Sequence, residues 1–151
     1  MAATASTIHA SAVLVGPKAI LIRGPSGSGK STLAWKLVKA GEQGLVPFAR
    51  LVADDRVHLE SRSGRLLVLP APTLAGLIEI HGLGIRRIEF EPIAVVGLIV
   101  DLAAGDAVRS PEVEAGIGTV GDLTLPRLPV APGFAALALV LAAVHLPPAG
   151  N

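Results

Sequence analysis

A glycine-rich segment near the start of the chain, Gly24–Ser31, has the residue types and spacing of a phosphate-binding loop. Its letters, GPSGSGKS, fill each fixed position of the pattern G-x-x-x-x-G-K-[ST]. Glycines permit backbone angles at which successive N–H groups converge on phosphate oxygens, and Lys30 adds a full positive charge. Ser31 has the hydroxyl that such loops use to bind Mg²⁺. The residues expected to bind a nucleoside triphosphate are Gly24, Pro25, Ser26, Gly27, Ser28, Gly29, Lys30, Ser31 and Thr32.

The segments on either side of this loop have the polarity that the motif requires. Ala19–Ile22 is an apolar run that predicts a buried strand, and Thr32–Lys39 predicts the helix that leaves the loop. The helix N-terminus adds roughly half a positive charge next to the phosphates. The alternative, a chance glycine-rich turn before an ordinary helix, does not account for both flanking elements. The motif predicts nucleotide binding but does not identify what is phosphorylated or hydrolysed.

Length and composition predict a single folded domain spanning residues 1–151, with flexible ends. A chain of 151 residues buries about 68–70% of its unfolded surface, and 51% of these residues are hydrophobic. A net charge of +1 without a long basic cluster argues against a nucleic-acid partner. The longest apolar run, Phe134–Val144, is too short to span a membrane. Low charge and high aliphatic content favour a homo-oligomer.

Other features favour a reducing compartment. The chain has no cysteine, so neither disulfides nor thiolate metal sites are possible, and no basic residue precedes Lys18 as in a signal peptide. We therefore expect a cytoplasmic protein.

The rest of the chain predicts strands with one further helix, and so an α/β fold with a mixed sheet flanked by helices. Ile8–Val15 predicts a first strand, Ala49–Ala53 a strand that ends at paired acids, and Ile93–Val100 a buried strand. Leu125–Val130 is extended, and the alanines and leucines that follow Gly133 predict a helix through Leu146.

Two positions compete to supply the carboxylate that a phosphate-loop enzyme needs beside Mg²⁺ or the attacking group. Asp101 follows an apolar strand, as in the simplest Walker-B pattern, whereas Asp54 and Asp55 form an adjacent pair. The pattern alone slightly favours Asp101, and either site is also consistent with a capping or turn aspartate. Paired carboxylates can divide the chemistry, one held ionised and one accepting a proton from a hydroxyl nucleophile.

Taken in order, four segments resemble the catalytic domain of HPr kinase/phosphorylase. They are Ile8-His9, the loop Gly24–Ser31, the segment Leu51–Val57 with its A-D-D letters, and Leu77–Ile85, which reads LIEIHGLGI. The last segment is the most diagnostic. The resemblance extends from about residue 8 to residue 146 and is closest to the short, alphaproteobacterial-type form of the family.

The resemblance implies a P-loop domain of the HPr kinase and PEP carboxykinase type that uses ATP and Mg²⁺ to phosphorylate a serine of HPr, a small phosphocarrier protein. Such enzymes also run the reverse reaction with inorganic phosphate, and they often form hexamers. By position, Asp55 corresponds to the base for the serine hydroxyl, and Asp54 to its supporting neighbour. Asp101 then becomes an ordinary strand-end residue.

The resemblance also assigns roles to residues that the motifs leave open. It implies that Lys30 holds the transferring phosphate, that Ser31 and Glu79 bind Mg²⁺, and that His9 lies near the phosphates. Arg109 matches an active-site arginine of the family. Each residue has a structural alternative: a hydrogen-bonded strand histidine for His9, an outward-facing strand residue for Glu79, and a solvated loop arginine for Arg109.

Two departures from the family pattern concern the reverse reaction. His81 stands where the family signature has arginine, and Phe134 and Ala135 follow Pro132-Gly133 where the family has arginine and asparagine. We therefore expect kinase activity with weak or absent phosphorylase activity. Two other functions remain open from the sequence: a P-loop kinase of another acceptor, and a nucleotide-sensing regulatory module without turnover.

Overall fold

The computed structural model describes residues 4–107, 113–133 and 135–149. Within these residues it has eleven strands and two α-helices. The strands are β1 Thr4–Ile8, β2 Ser11–Val15, β3 Lys18–Arg23, β4 Ala49–Ala53, β5 Val57–Arg62, β6 Arg65–Pro70, β7 Leu77–Ile80, β8 Gly84–Arg87, β9 Ala94–Leu102, β10 Ile117–Val120 and β11 Leu123–Val130. The helices are α1 Lys30–Glu42 and α2 Ala136–His145.

Nine of these strands form one mixed sheet, and β7 and β8 form a separate hairpin. The order along the sheet is β1-β5-β6-β9-β3-β2-β4, and β11 pairs with both β9 and β10. Strand β3 runs parallel to β9, which runs parallel to β11. Strand β2 is antiparallel to both β3 and β4, so β4 also runs in the direction of β3. The carboxyl ends of β3, β4, β9 and β11 therefore lie at the same edge of the sheet.

Alternate residues of β3 face two different cores. Ile20 and Ile22 pack on one face of the sheet with Leu33 and Leu37 of α1. Leu21 faces the other side, where it belongs to a second core with residues of the curled strands β5 and β6. Burial on both faces explains why β3 is a continuous apolar run rather than an alternating one. The α/β class with a mixed sheet and helices, expected from the sequence, is confirmed.

The segment Ile8–Val15, expected to be one strand, is two. Strand β1 pairs with β5, whereas β2 pairs with β3 and β4, so the chain changes partners at His9 and Ala10. The Ala10 N–H donates to the Asp55 carbonyl instead of joining either ladder. The hydrophobic pattern did not reveal this break because the change of partners depends on pairing with strands that are distant in sequence.

The helical segment after Gly133 is present as α2, and the connection after α1 is irregular up to β4. Among the described residues, neither helix has the length and apolarity needed to cross a bilayer.

We predict that Leu37→Ala lowers the free energy of unfolding by about 2–5 kcal/mol, because Leu37 is fully buried between α1 and the sheet. The matched variant Lys36→Ala, one residue away on the exposed side of α1, changes it by less than about 0.5 kcal/mol. Urea unfolding followed by circular dichroism measures both values. Equal losses in the two variants would contradict the packing described for α1.

Candidate active site

The glycine-rich loop joins β3 directly to α1, as the sequence predicts. Gly27 and Gly29 have φ angles of 78° and 100°, in the left-handed region that favours glycine. A side chain at Gly24 would place its Cβ 2.5 Å from the Ser28 hydroxyl oxygen, so this position also requires glycine. The loop is therefore a compact turn of backbone that leads directly into the N-terminus of a thirteen-residue helix.

Lys30 lies across the mouth of this loop. Its Nζ donates to the Gly24 carbonyl at 2.9 Å and to the Pro25 carbonyl at 3.1 Å. These contacts fix the ammonium group next to the backbone of the loop. Positive charge and backbone N–H groups at a helix N-terminus are the groups that bind polyanions such as a nucleotide phosphate chain.

The Asp54 carboxylate is the centre of the hydrogen bonding at this edge of the sheet. Only 3% of the residue is exposed, and it follows β4 directly. Its Oδ1 accepts from the Ser11 hydroxyl at 2.6 Å, and the Ser31 hydroxyl lies 2.7 Å from Oδ1 and 2.8 Å from Oδ2. The backbone N–H of Glu79 donates to Oδ2 at 3.0 Å. Such donors offset the cost of burying the carboxylate.

Asp55 faces the opposite way from its neighbour. Its φ of 70° is left-handed, a conformation that is uncommon for a residue with a side chain, and its carbonyl accepts the Ala10 N–H. This turn leaves the Asp55 side chain exposed while Asp54 stays buried. The adjacent acids are thus in different environments.

Asp55 lines a cavity of about 570 Å³ together with the phosphate-binding loop. The loop residues Lys30 and Ser31 lie on one side, and Glu79 and His81 from the β7–β8 hairpin lie on the other. The loop, Asp55 and the signature segment are far apart in sequence, and the fold brings them to one cavity.

Mg²⁺ prefers oxygen ligands and usually retains waters or phosphate oxygens in its coordination shell. The Ser31 hydroxyl and the Glu79 carboxylate are such donors on the cavity wall, and Asp54 holds the Ser31 hydroxyl in place. The part of the chain that the structure describes contains no cluster of three or more histidines, cysteines or acids placed to bind a metal. This donor set fits Mg²⁺ bound jointly with a nucleotide.

His9 is exposed in the break between β1 and β2, one residue from the Ala10 N–H that binds Asp55. Its Nε2 lies 2.9 Å from Nη2 of Arg56, the residue that follows Asp55. Because a guanidinium has donors only, Nε2 accepts this bond and the ring proton resides on Nδ1. The contact therefore orients the His9 ring beside Arg56, the residue next to the paired acids.

Asp101 lies at the end of β9, but its carboxylate is engaged by arginines. Arg23 binds it through Nε at 2.7 Å and Nη2 at 2.8 Å, and Arg127 of β11 forms a second ion pair with it. Arg127 also pairs with Asp106 at 2.8 Å. Asp101 is absent from the wall of the cavity that contains Asp55. Its ion pairs form a clamp across three neighbouring strands, β3, β9 and β11.

Burial of Asp101 by itself raises the pKa of its carboxyl, but the hydrogen bonds and charges of Arg23 and Arg127 outweigh this effect and hold the pKa below its usual value. Asp101 therefore stays ionised in the folded protein at pH values where a free carboxyl begins to protonate.

Arg109 and Phe134, which the sequence analysis singled out, lie outside the described residues. Sequence reasoning missed four residues of this region: Ser11, Arg23, Arg56 and Arg127. A signal was available for Ser11, because it is a hydroxyl residue within the apolar stretch Ala10–Val15, and buried polar groups need partners. Arg23, Arg56 and Arg127 carry no local signal, since their partners are distant in sequence.

A family model described as the HPr Serine kinase C-terminal domain matches residues 1–91. The matched range contains the phosphate-binding loop, the paired acids and the β7–β8 hairpin. The chain belongs to the HPr serine kinase C-terminal domain family. The resemblance inferred from its motifs is thereby confirmed.

Relatives of this HPr kinase-type chain are named HPr kinase/phosphorylase, a phosphotransferase family. One, from Geobacillus thermodenitrificans, is 35% identical over 144 residues, which cover 87% of this chain and 44% of the relative. Another, from Streptococcus thermophilus, is 42% identical over 81 residues, which cover 53% of this chain and 24% of the relative. The chain thus spans less than half the length of these curated relatives.

A solved structure, that of the Hpr(Ser) kinase/phosphatase from Coxiella burnetii, has the same fold. The TM-score is 0.72 at 21% sequence identity, and the match covers 92% of this chain and 93% of that one. At this identity the comparison supports the HPr kinase-type fold.

We predict that the arginine clamp makes stability depend on pH in the acid range. The pKa of Asp101 is lower in the folded protein than in the unfolded one, so the ionised carboxylate stabilises the fold at pH values above the unfolded pKa of about 3.9. This stabilisation is lost as the pH falls through the folded pKa. Asp101→Asn should therefore reduce the free energy of unfolding by about 1–3 kcal/mol at pH 7, with the difference from the unmodified chain shrinking below about pH 4.

Urea titrations at pH values from about 7 to 3 measure this difference, with Asp122→Asn as the matched control because Asp122 is an exposed turn residue. A difference for Asp101→Asn that stays constant across the range would contradict the proposed clamp.

Proposed function

We propose that this chain is a protein serine kinase that uses ATP and Mg²⁺ to phosphorylate an HPr-type phosphocarrier protein. The observation that carries the proposal is the exposed Asp55 carboxylate in the same cavity as Lys30 and Ser31 of the phosphate-binding loop. Membership of the HPr serine kinase C-terminal domain family supports the acceptor. The relatives named HPr kinase/phosphorylase support the reaction class.

In this proposal the loop Gly24–Thr32 binds the phosphate chain of ATP through its backbone N–H groups, and Lys30 neutralises the phosphate that is transferred. Ser31 and Glu79 hold Mg²⁺, with Asp54 fixing the Ser31 hydroxyl. When bound, Mg²⁺ neutralises charge on the phosphate oxygens. Since phosphoryl transfer needs mainly positioning and charge stabilisation, these residues supply most of what it requires.

Asp55 is the proposed general base. Its carboxylate accepts the proton of the serine hydroxyl while the serine oxygen bonds to the γ-phosphorus and the bond to the ADP oxygen breaks. The left-handed turn at Asp55 and the hydrogen bond that its carbonyl accepts from the Ala10 N–H aim the side chain at the cavity rather than at the buried network of Asp54. Asp54 supports this arrangement as a positioning residue.

His9 is proposed to act near the phosphates, with Arg56 setting its orientation and tautomer. Arg109 is proposed as a further active-site cation, on the resemblance of its loop to the family pattern. We also propose that the chain works as a homo-oligomer in the cytoplasm. Large apolar side chains exposed on the described surface, such as Leu83, Ile85 and Leu146, support the oligomer, and the absence of cysteine supports the compartment.

We predict that Asp55→Asn lowers the turnover of HPr phosphorylation by about 10²–10⁴-fold, because the variant loses a general base but keeps its shape. ATP affinity should change little, since Asp55 lies outside the phosphate-binding loop. The measurement is transfer of labelled γ-phosphate from ATP to the HPr of the same organism, with ATP affinity determined separately by calorimetry.

Two variants serve as controls for this experiment. Lys30→Ala should weaken both ATP binding and turnover, because it removes a contact that is present before and during transfer. Asp122→Asn, an exposed change outside the cavity, should leave both unchanged. If the unmodified chain binds ATP but transfers no phosphate to HPr, the result would contradict the kinase proposal and favour a nucleotide-sensing module. His81, which stands where the family signature has arginine, supports that alternative. ATP hydrolysis without HPr phosphorylation would favour another acceptor.

We predict weak or absent phosphorolysis, because His81 lines the cavity where the family signature has a permanently charged arginine. Incubation of serine-phosphorylated HPr with inorganic phosphate should release pyrophosphate much more slowly than the forward reaction runs. His81→Arg should raise this rate if the missing charge is the cause. Rapid pyrophosphate release by the unmodified chain would refute the prediction.

A further inference from the structure

A second cleft, on the other side of the β7–β8 hairpin from the proposed catalytic cavity, has no role in the function proposed above. It lies between α1, the start of β4 and the hairpin, with a volume of about 570 Å³. This size is within the range of small-molecule sites. Its lining includes Trp35, Ile78, Ile80, Arg86 and Arg87.

The floor of this cleft is apolar and includes an indole ring. Val38 and Ile78 are buried beneath it, and Trp35 is partly exposed at its wall. Trp35 is the single tryptophan of the chain. A flat indole beside aliphatic side chains provides a stacking surface for an aromatic or other flat apolar group.

The rim of the cleft has an excess of positive charge. The lining contains three arginines and two acids; Glu42 pairs with Lys39, and the largely exposed Glu89 lies 3.9 Å from Arg50. Arg86 and Arg87 on the exposed strand β8 have no acidic partner within the described residues; Arg86 contacts only a backbone carbonyl, that of Ile85. These two guanidinium groups are available to an anion at the edge of an apolar floor.

We propose that this cleft binds a small organic anion whose flat apolar body packs on Trp35 and whose anionic group pairs with Arg86 and Arg87. The guanidinium groups at the rim can form charge-assisted hydrogen bonds with an anion, and the indole can stack on a flat apolar body. The volume is too small for a folded partner, and inorganic phosphate alone would leave the apolar floor uncovered. The occupant is therefore a single compound that combines both properties.

The cleft is connected to the proposed catalytic cavity through β7. Ile80 lines both, and Ile78 and Ile80 flank Glu79, whose backbone N–H donates to Asp54. An occupant that contacts Ile78 and Ile80 therefore acts on the strand that anchors the buried carboxylate. This regulatory effect rests on the proposed function, whereas the binding itself does not.

The test uses 1-anilinonaphthalene-8-sulfonate as probe, because it combines a flat apolar body with one sulfonate. We expect one bound probe per chain, with quenching of Trp35 emission as the probe fluorescence rises. The double variant Arg86→Gln, Arg87→Gln should bind at least about tenfold more weakly, and about 1.4 kcal/mol corresponds to each factor of ten. Both changes lie on an exposed strand, so the fold should be retained.

The matched control is Arg65→Gln, an exposed arginine on β6 that is not part of the cleft, and it should bind the probe like the unmodified chain. N-phenyl-1-naphthylamine, which lacks the sulfonate, should bind weakly to all three proteins. Equal binding of the neutral and anionic probes, several probes per chain, or an unquenched Trp35 would overturn the proposal. Inaccessible Trp35 in an oligomer would also overturn it, by showing that a second copy covers the cleft.

The regulatory part has a separate readout. Calorimetric titration with ATP and Mg²⁺ should give a dissociation constant that differs by at least about threefold between probe-saturated and probe-free protein, and the double variant should show no difference. An unchanged constant would overturn the coupling while leaving the binding site intact. Loss of ATP binding in both samples would instead count against the proposed function, so the two failures are distinguishable.

Discussion

The buried Asp54 carboxylate is the interaction on which the site depends. Its hydrogen bonds connect β2 through Ser11, α1 through Ser31, and β7 through the Glu79 N–H. A charge at this depth would be costly without donors, and each donor comes from a different element. The carboxylate thus fixes the phosphate-binding loop, the paired acids and the hairpin relative to one another.

The direction of the strands makes this arrangement possible. Because β3, β4, β9 and β11 all point the same way, the residues that follow them meet at one edge of the sheet. Two aspartates that look alike in sequence then acquire different surroundings. Asp101 is ionised and paired with Arg23 and Arg127, which links β3, β9 and β11. Asp54 instead receives neutral donors and organises the cavity.

Much of the site could be predicted from the sequence because its strongest motif is local. Spacing alone predicts the loop, its flanking strand and helix, and the α/β class. The pattern left Asp101 and the paired acids as alternatives; the resemblance favoured the pair and added Glu79. The structure places Asp55, Glu79 and the loop around one cavity. The break at His9 and the contact between His9 and Arg56 could not be predicted, since they arise from strand pairing between distant segments.

The sequence by itself determined which chemical groups are present and how the nucleotide loop folds, because that loop depends on backbone angles within eight residues. Only the tertiary structure decided which aspartate is buried, which one faces the cavity and which one is paired with arginines. The physical reason is that burial and partners set the state of a carboxylate, and both depend on residues that are 20 or more positions away, such as Ser31 for Asp54 and Arg23 for Asp101.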